Sequence, residues 1–557
     1  MMSLLLDSML RRLGLTPTHK VAIRRDLKVR MPDGAELLTD LYLGSADPQA
    51  PAIIVRSPYG KGPFIAGNTA YPLASQGFNV VLQCCRGTGG STGVFDPHHD
   101  EQRDGLQTIA WVKSQSWCNG VIATCGGSYL GYTQWAVAGA AGPEVKAMAM
   151  QVTLSDFSRM TYAGDSLMLQ NALTWTCTMT LARRRFGFLK MLWNRLRGAP
   201  LIAAGQWREL PLRSLDAQVT GEHVGFWQDW MTHASADDPW WSSMSHAGAI
   251  EDLRRPVTMV AGWFDIFTPW QMRDFAALQK AGCNARITVG PWQHTDQAAV
   301  AAALPDAIDW FNHHLLGRPL EPRKAVRLHV MGADEWREFD CWPPQESTLE
   351  SWHLQPQRAL GPEMPGESPP DEYRYDPADP TPSVGGPALE SAAASVDNRE
   401  LESRADVLTY TSPPLDESRD VIGDVTAELH VSSSAASADF FVRLCDVDPA
   451  GVSRNICDGL QRIRIERAGQ VQRVLVHLWP TAYRIARGHR LRVQVSSGAF
   501  PRWARNPGTL EPLADATRLV AATQAIHHSP QYPSAIRIPF CAGSMHAPAG
   551  GVSPSHR

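Results

Sequence analysis

The sequence predicts an α/β domain carrying a helical insertion, followed by an all-β domain, and three observations carry that prediction. Short apolar runs alternate with helical stretches in residues 1–154 and again in residues 251–325. A block rich in Met, Leu, Trp and Arg at helical spacing, residues 155–250, separates those two stretches. From residue 326 to 557, Pro and Gly become dense and short alternating runs recur at even spacing. At 557 residues the chain also exceeds what one hydrophobic core supports, about 250–300 residues.

The elements follow in order. Met1–Leu15 holds a short apolar run broken by Asp7 and followed by Arg11 and Arg12, which reads as a short amphipathic helix. In Val29–Tyr42, Asp33-Gly34 sits between two alternating runs, a strong hairpin signal. Strands are expected at Ala52–Val55, Phe78–Leu82, Val121–Cys125, Val145–Val152, Val257–Ala261 and Ile287–Val289. Helices are expected at Asp104–Ser114 and Tyr129–Ala141. Strands alternating with helices give a mostly parallel sheet covered on both faces. The 155–250 block is then a cap inserted above one edge of that sheet, and its basic run Arg183–Arg185 reads as a solvated helix face. In the last part, Val425–Val431, Asp439–Cys445, Val474–Leu478 and Leu491–Val495 read as strands of a sandwich or jelly roll.

Composition excludes several classes. Lys and Arg number 52 against 56 Asp and Glu, a net charge of −4, which argues against a nucleic-acid binder or a chain held to a membrane by charge. The longest apolar runs fall short of the ~18 residues a membrane span needs. The ten Cys are scattered without a CxxC pair; vicinal Cys84 and Cys85 read as buried strand thiols, and scattered free thiols fit a reducing, cytoplasmic setting. The adjacent pairs His98-His99 and His313-His314 lack i, i+4 ligand spacing, so no metal site is expected. The glycine-rich loop Gly87–Gly93 lacks the Lys of a phosphate loop and opens no helix, so no nucleotide or other cofactor is expected either.

The chemistry centres on Cys125-Gly126-Gly127-Ser128-Tyr129-Leu130-Gly131, directly after an apolar strand and directly before a helix. A serine on such a strand–turn–helix elbow projects its hydroxyl at the sheet edge, and the helix N-terminus favours a developing oxyanion. The spacing is G-x-S-x-x-G, with the last glycine one place late relative to G-x-S-x-G. A nucleophilic serine needs a base and an orienting carboxylate, in the chain order Ser, Asp/Glu, His for this arrangement. Asp265 follows the strand VTMVA and His294 follows the strand ITV, each where a strand gives way to a loop. Ser128, Asp265 and His294 are therefore the candidate triad of an α/β-hydrolase fold. The backbone N–H of Tyr129 is one oxyanion donor by the elbow's construction, and the hydroxyl of Tyr59, in the loop after AIIV, is a candidate for the second.

RSPYGKG, CRGTGGSTG, WCNG, GGSYLGYTQW, GWFD and VGPWQH, in that order, resemble the cocaine-esterase-like (CocE/NonD) hydrolases, relatives of the X-prolyl dipeptidyl peptidases and α-amino-acid ester hydrolases. The resemblance continues through YDPADPTPSVGG, VSSSAASADFFVRLCDV and LRVQVSSGAFPRWARNPGT and covers roughly residues 20–540. It implies the same triad, Tyr59 and the Tyr129 amide as oxyanion donors, a helical cap and a C-terminal jelly roll. Where α-amino-acid ester hydrolases carry carboxylates for a substrate ammonium, this chain has uncharged Ile266-Phe267-Thr268-Pro269-Trp270; Asp165 in the cap is the one other carboxylate considered for that role. The expected activity is hydrolysis of a small-molecule ester with an apolar acyl or aryl group, Trp175 and Phe267 facing the acyl pocket. An X-prolyl dipeptidyl peptidase or amidase is the alternative, and a catalytically dead carbohydrate-binding protein the remaining one.

Overall fold

In the computed structural model the described residues are Leu6, Ser8 and 10–184, 200–389 and 394–542. Ten strands form the first sheet: β1 (Ala22–Arg30), β2 (Glu36–Leu43), β3 (Ala50–Ser57), β4 (Asn79–Cys84), β5 (Cys118–Gly127), β6 (Val145–Gln151), β7 (Val257–Phe264), β8 (Ala285–Gln293), β9 (Val326–Val330) and β10 (Glu335–Phe339). Their spatial order is β1-β2-β4-β3-β5-β6-β7-β8-β9-β10. The β1–β2 hairpin turns at Gly34, whose φ of +89° suits glycine, and β2 runs antiparallel to β4. From β4 through β3, β5, β6, β7, β8 and β9 every pairing is parallel. The central strands β3, β4 and β7 are buried along their whole length, which is why they read as unbroken apolar runs. Helices Glu101–Lys113, Tyr129–Ala138, Thr268–Lys280 and Gln297–Leu316 supply the crossovers and pack on the sheet.

Between β6 and β7 the described chain is helical and turn-rich, with Leu169–Arg183 the longest helix there. Arg183 lies over the Phe95 ring and Arg184 pairs with Glu222 at 2.9 Å; Arg185 and the rest of the expected central helix lie outside the described residues. At the N-terminus, Leu6, Leu10 and Leu13 are buried; residues 1–5, 7 and 9 of the expected first helix lie outside the described residues.

The expected boundary at residue 325 is corrected: β9 and β10 continue the first sheet, so the chain leaves it only after Phe339. The alternating VRLHV resembles the runs of the following domain, yet its burial comes from pairing with β8. Beyond it lies an all-β domain of two sheets whose strand pairs are antiparallel, including Thr426–Ser433, Ser437–Val447, Ser453–Arg464 and Arg490–Ser496.

This domain is joined to the rest of the chain at many points. Arg337 and Arg484 both bind the buried Asp420 carboxylate, and Arg484 also reaches Glu335. The cap is pinned to it by Arg213–Asp515 and by the backbone bonds Gln170 N–H to Pro501 O and Ala504 N–H to Leu167 O. Gly164 lies so close to the Leu460 carbonyl that any side chain there would collide with it. Among the described residues no helix is long and apolar enough to cross a membrane.

Candidate active site

Three strands end at one place. Gly127, Phe264 and Gln293 are the last residues of β5, β7 and β8, so Ser128, Asp265 and His294 are each the first residue past a strand's carboxyl end. Phe264 and Gln293 are register partners in the parallel β7–β8 pair, and Asp265 and His294 therefore leave the sheet side by side. Ligands of open α/β sheets bind at this edge.

Ser128 adopts φ +58° and ψ −127°, a conformation L-residues avoid. It is held there from both sides: its N–H donates to Gln151 O and Val152 O, and its carbonyl accepts from Thr153 Oγ1 at 3.1 Å. A serine before a helix commonly caps it, but in this backbone geometry Ser128 makes no cap bond. Its Oγ instead lies 3.0 Å from His294 Nε2. His294 Nδ1 is 2.6 Å from Asp265 Oδ2, and the other oxygen of that fully buried carboxylate accepts the Phe267 N–H at 2.7 Å. An imidazole bound to a carboxylate through Nδ1 presents Nε2 as an acceptor toward the serine.

Tyr59, two residues beyond β3, reaches the same point. Its hydroxyl accepts the Trp175 indole N–H at 3.2 Å and lies beside the Ser128 side chain. Burial pushes this phenol above its usual range, so it stays protonated and able to donate. Tyr129 opens the following helix, so its N–H has no intrahelical acceptor. Ser128, Asp265, His294, Tyr59, Tyr129, Trp175 and Phe267 thus lie together. Trp175 stacks on the Tyr129 ring at 8° between planes, and Phe267 meets the His294 ring edge-on at 5.1 Å. The Asp165 carboxylate instead binds Gln461 Nε2 of the all-β domain at 2.6 Å.

Other contributors were not read from the sequence. Glu101, buried at the start of its helix, pairs with buried Arg56 at 2.7 Å and accepts the Tyr129 hydroxyl proton at 2.8 Å. The Tyr129 oxygen in turn accepts the His98 N–H at 2.9 Å. These bonds clamp the residue that follows the serine. Cys85 Sγ sits 3.7 Å from the same Glu101 carboxylate; burial raises its thiol, and burial pushes Cys84 up to about 12, so both stay protonated. The aromatic wall around Trp175 is completed by Phe95, His98, Phe226 and Trp230.

The family models agree with this architecture. Residues 33–296 match the X-Pro dipeptidyl-peptidase (S15 family) and residues 320–537 match the X-Pro dipeptidyl-peptidase C-terminal non-catalytic domain. A cocaine esterase of Rhodococcus sp. (strain MB1 Bresler) is 32% identical over 577 aligned residues, covering 93% of this chain and 98% of that protein. Solved structures with the same fold include an aminopeptidase from a marine sediment archaeon, Thaumarchaeota archaeon (TM-score 0.80, 24% identity, 95% of this chain and 98% of that one). An α-amino acid ester hydrolase also shares it (TM-score 0.78, 22% identity, 94% and 97%). A serine at a strand-end elbow, the near-complete alignment with an esterase and the two matched domains lead to one assignment: this chain is a serine hydrolase belonging to the cocaine-esterase-like (CocE/NonD) hydrolases of the S15 family.

Proposed function

We propose that the protein hydrolyses a small-molecule carboxylic ester with an apolar acyl or aryl group, through an acyl-enzyme on Ser128. The observation that carries this reading is the continuous chain Ser128 Oγ, His294 Nε2, His294 Nδ1 and Asp265 Oδ2, with steps of 3.0 and 2.6 Å. His294 takes the Ser128 proton as Oγ attacks the ester carbonyl, and Asp265 holds the imidazole in the required tautomer and offsets its charge. The carbonyl oxygen becomes an oxyanion that the Tyr59 hydroxyl and Tyr129 N–H stabilise. Collapse expels the alcohol, which takes its proton from His294. A water, deprotonated by the same imidazole, then attacks the acyl-enzyme, and the carboxylic acid leaves Ser128.

Ester rather than aminoacyl-proline amide is favoured by the surroundings of Asp265. Ile266, Phe267 and Trp270 are buried and uncharged, and Asp165 is engaged by Gln461. A peptide's N-terminal ammonium taken into this site needs a carboxylate partner, because an unpaired buried charge is costly. The aromatic side chains around Trp175 suit an apolar acyl or aryl group.

The test has two arms. A fluorophosphonate should label the wild-type protein at Ser128 and leave Ser128→Ala unlabelled. Aryl esters should turn over with kcat/KM at least a hundredfold above aminoacyl-proline anilides. Equal rates on the two classes, or labelling that survives Ser128→Ala, would overturn the reading.

A further inference from the structure

Helix Leu169–Arg183 is buried nearly all round: between residues 171 and 181 only Trp175 and Thr178 are partly exposed. Asn171, Trp175 and Thr178 stand at i, i+4 and i+7 and so form one stripe down a single helix face. Trp175 identifies what that face looks onto, since its indole N–H meets the Tyr59 hydroxyl beside Ser128. Asn171, one turn earlier, is 3% exposed, and neither its Nδ2 nor its Oδ1 has a hydrogen-bond partner.

An asparagine in that state is poorly explained as packing. A buried amide deprived of donor and acceptor partners destabilises the fold, and an apolar residue of similar size would serve the core better. A buried group whose hydrogen bonds are left open is the form a site takes when a ligand is to complete them. The wall around Trp175 is mainly aromatic, and on the same helix face one turn away Asn171 carries an open amide.

We propose that Asn171 is a specificity-determining residue that hydrogen-bonds a polar group on the acyl part of the substrate, about one helical turn (roughly 6 Å) along the cap helix from Trp175. The preferred substrate is thus an ester whose flat or apolar acyl group carries a carboxamide, hydroxyl or carbonyl at its far end. This rests on the esterase reading above and narrows it. Asn171 matches such a group in both senses, because the amide offers two donors and an acceptor.

The experiment uses 4-nitrophenyl benzoates bearing, at the 3- or 4-position, either a carboxamide or its apolar isostere isopropyl. The kcat/KM ratio of carboxamide to isopropyl ester is measured for the wild type and for Asn171→Leu; intrinsic reactivity differences between the two esters cancel on comparing the proteins. In the wild type the ratio, normalised to hydroxide-catalysed hydrolysis, should exceed tenfold at one ring position. In Asn171→Leu it should fall at least tenfold. Asn171→Leu should also melt no lower than the wild type, since it removes unsatisfied buried atoms. The wild-type ratio stands as evidence even if the variant is poorly folded: no preference at either position overturns the proposal, as does an unchanged ratio in Asn171→Leu. If the wild type turns over neither ester and takes no fluorophosphonate label, the esterase reading falls and this inference with it.

Discussion

Tyr59→Phe isolates one oxyanion donor with little else changed. The phenol oxygen accepts the Trp175 indole N–H at 3.2 Å and lies beside the Ser128 side chain. Phe keeps the ring and its packing and deletes only the oxygen. In the ground state that oxygen faces a neutral ester carbonyl; in the tetrahedral transition state it faces a nearly full negative charge, so its loss falls mainly on kcat. One lost donor of this kind costs about 10²–10³ in kcat, roughly 3–4 kcal/mol. The Tyr129 N–H remains, clamped through its side chain by Glu101 and His98, so activity should fall without disappearing. The structural cost is the loss of the acceptor for the Trp175 indole N–H, about 1–3 kcal/mol, which the melting temperature reports separately from kcat. The assay is steady-state hydrolysis of one aryl ester, with KM and the melting temperature measured on the same preparations. A kcat within threefold of wild type would remove Tyr59 from the oxyanion hole; a drop confined to KM would make it a ground-state contact instead.

Ser128→Ala should reduce turnover by on the order of 10⁶, whereas Ser128→Gly, equally inactive, should raise the melting point because glycine accepts φ +58° without strain; a Gly variant melting below the Ala variant would refute the strain argument. Stability should fall on acidification from pH 6.5 towards 4: burial lowers His246 to about 4, so the folded state resists the proton that the unfolded chain takes up near 6.5. That contribution is fully present above 6.5 and worth about 3 kcal/mol across the window, and His246→Gln should flatten the slope of unfolding free energy against pH. A chain truncated after Phe339 should not fold to an active enzyme, since the cap loses Asp515, Pro501 O and Ala504 N–H as partners; full activity in that fragment would show the all-β domain to be dispensable.

The sheet was legible because its strands are buried on both faces and separated by helices, so unbroken apolar runs such as AIIV and VTMVA map directly onto β3 and β7. The all-β domain begins after Phe339 rather than at residue 326 because Val326–Val330 pairs with β8, a long-range contact that local composition does not report. The candidate site was legible as far as chemistry follows local order: a glycine-flanked serine, then an acid and a histidine at strand ends. Glu101, Arg56 and Asn171 left no such mark. Arg56 and Glu101 are 45 residues apart and meet only once β3 and the helix after β4 are packed together. Asn171 looks like any helix residue until its two bare amide atoms are seen beside the stripe of Trp175.

The late glycine of the elbow motif shows how spacing encodes packing. The position two after Ser128, glycine in the commoner pattern, is Leu130, and a side chain on Gly126 would meet the Leu130 Cβ at 2.5 Å. Gly126, at φ +148°, therefore supplies the room that Leu130 takes. The glycine three after the serine, Gly131, faces Thr153, where an added Cβ would lie 2.5 Å from the Thr153 Cβ and 2.7 Å from its Oγ1. That same hydroxyl donates to the Ser128 carbonyl. The chain leaving β6 thus approaches the helix closely at Gly131, and that approach brings Thr153 in to brace the strained serine. A bulkier residue at 131 would push Thr153 off the elbow, and the backbone that aims Oγ at His294 would lose one of its supports.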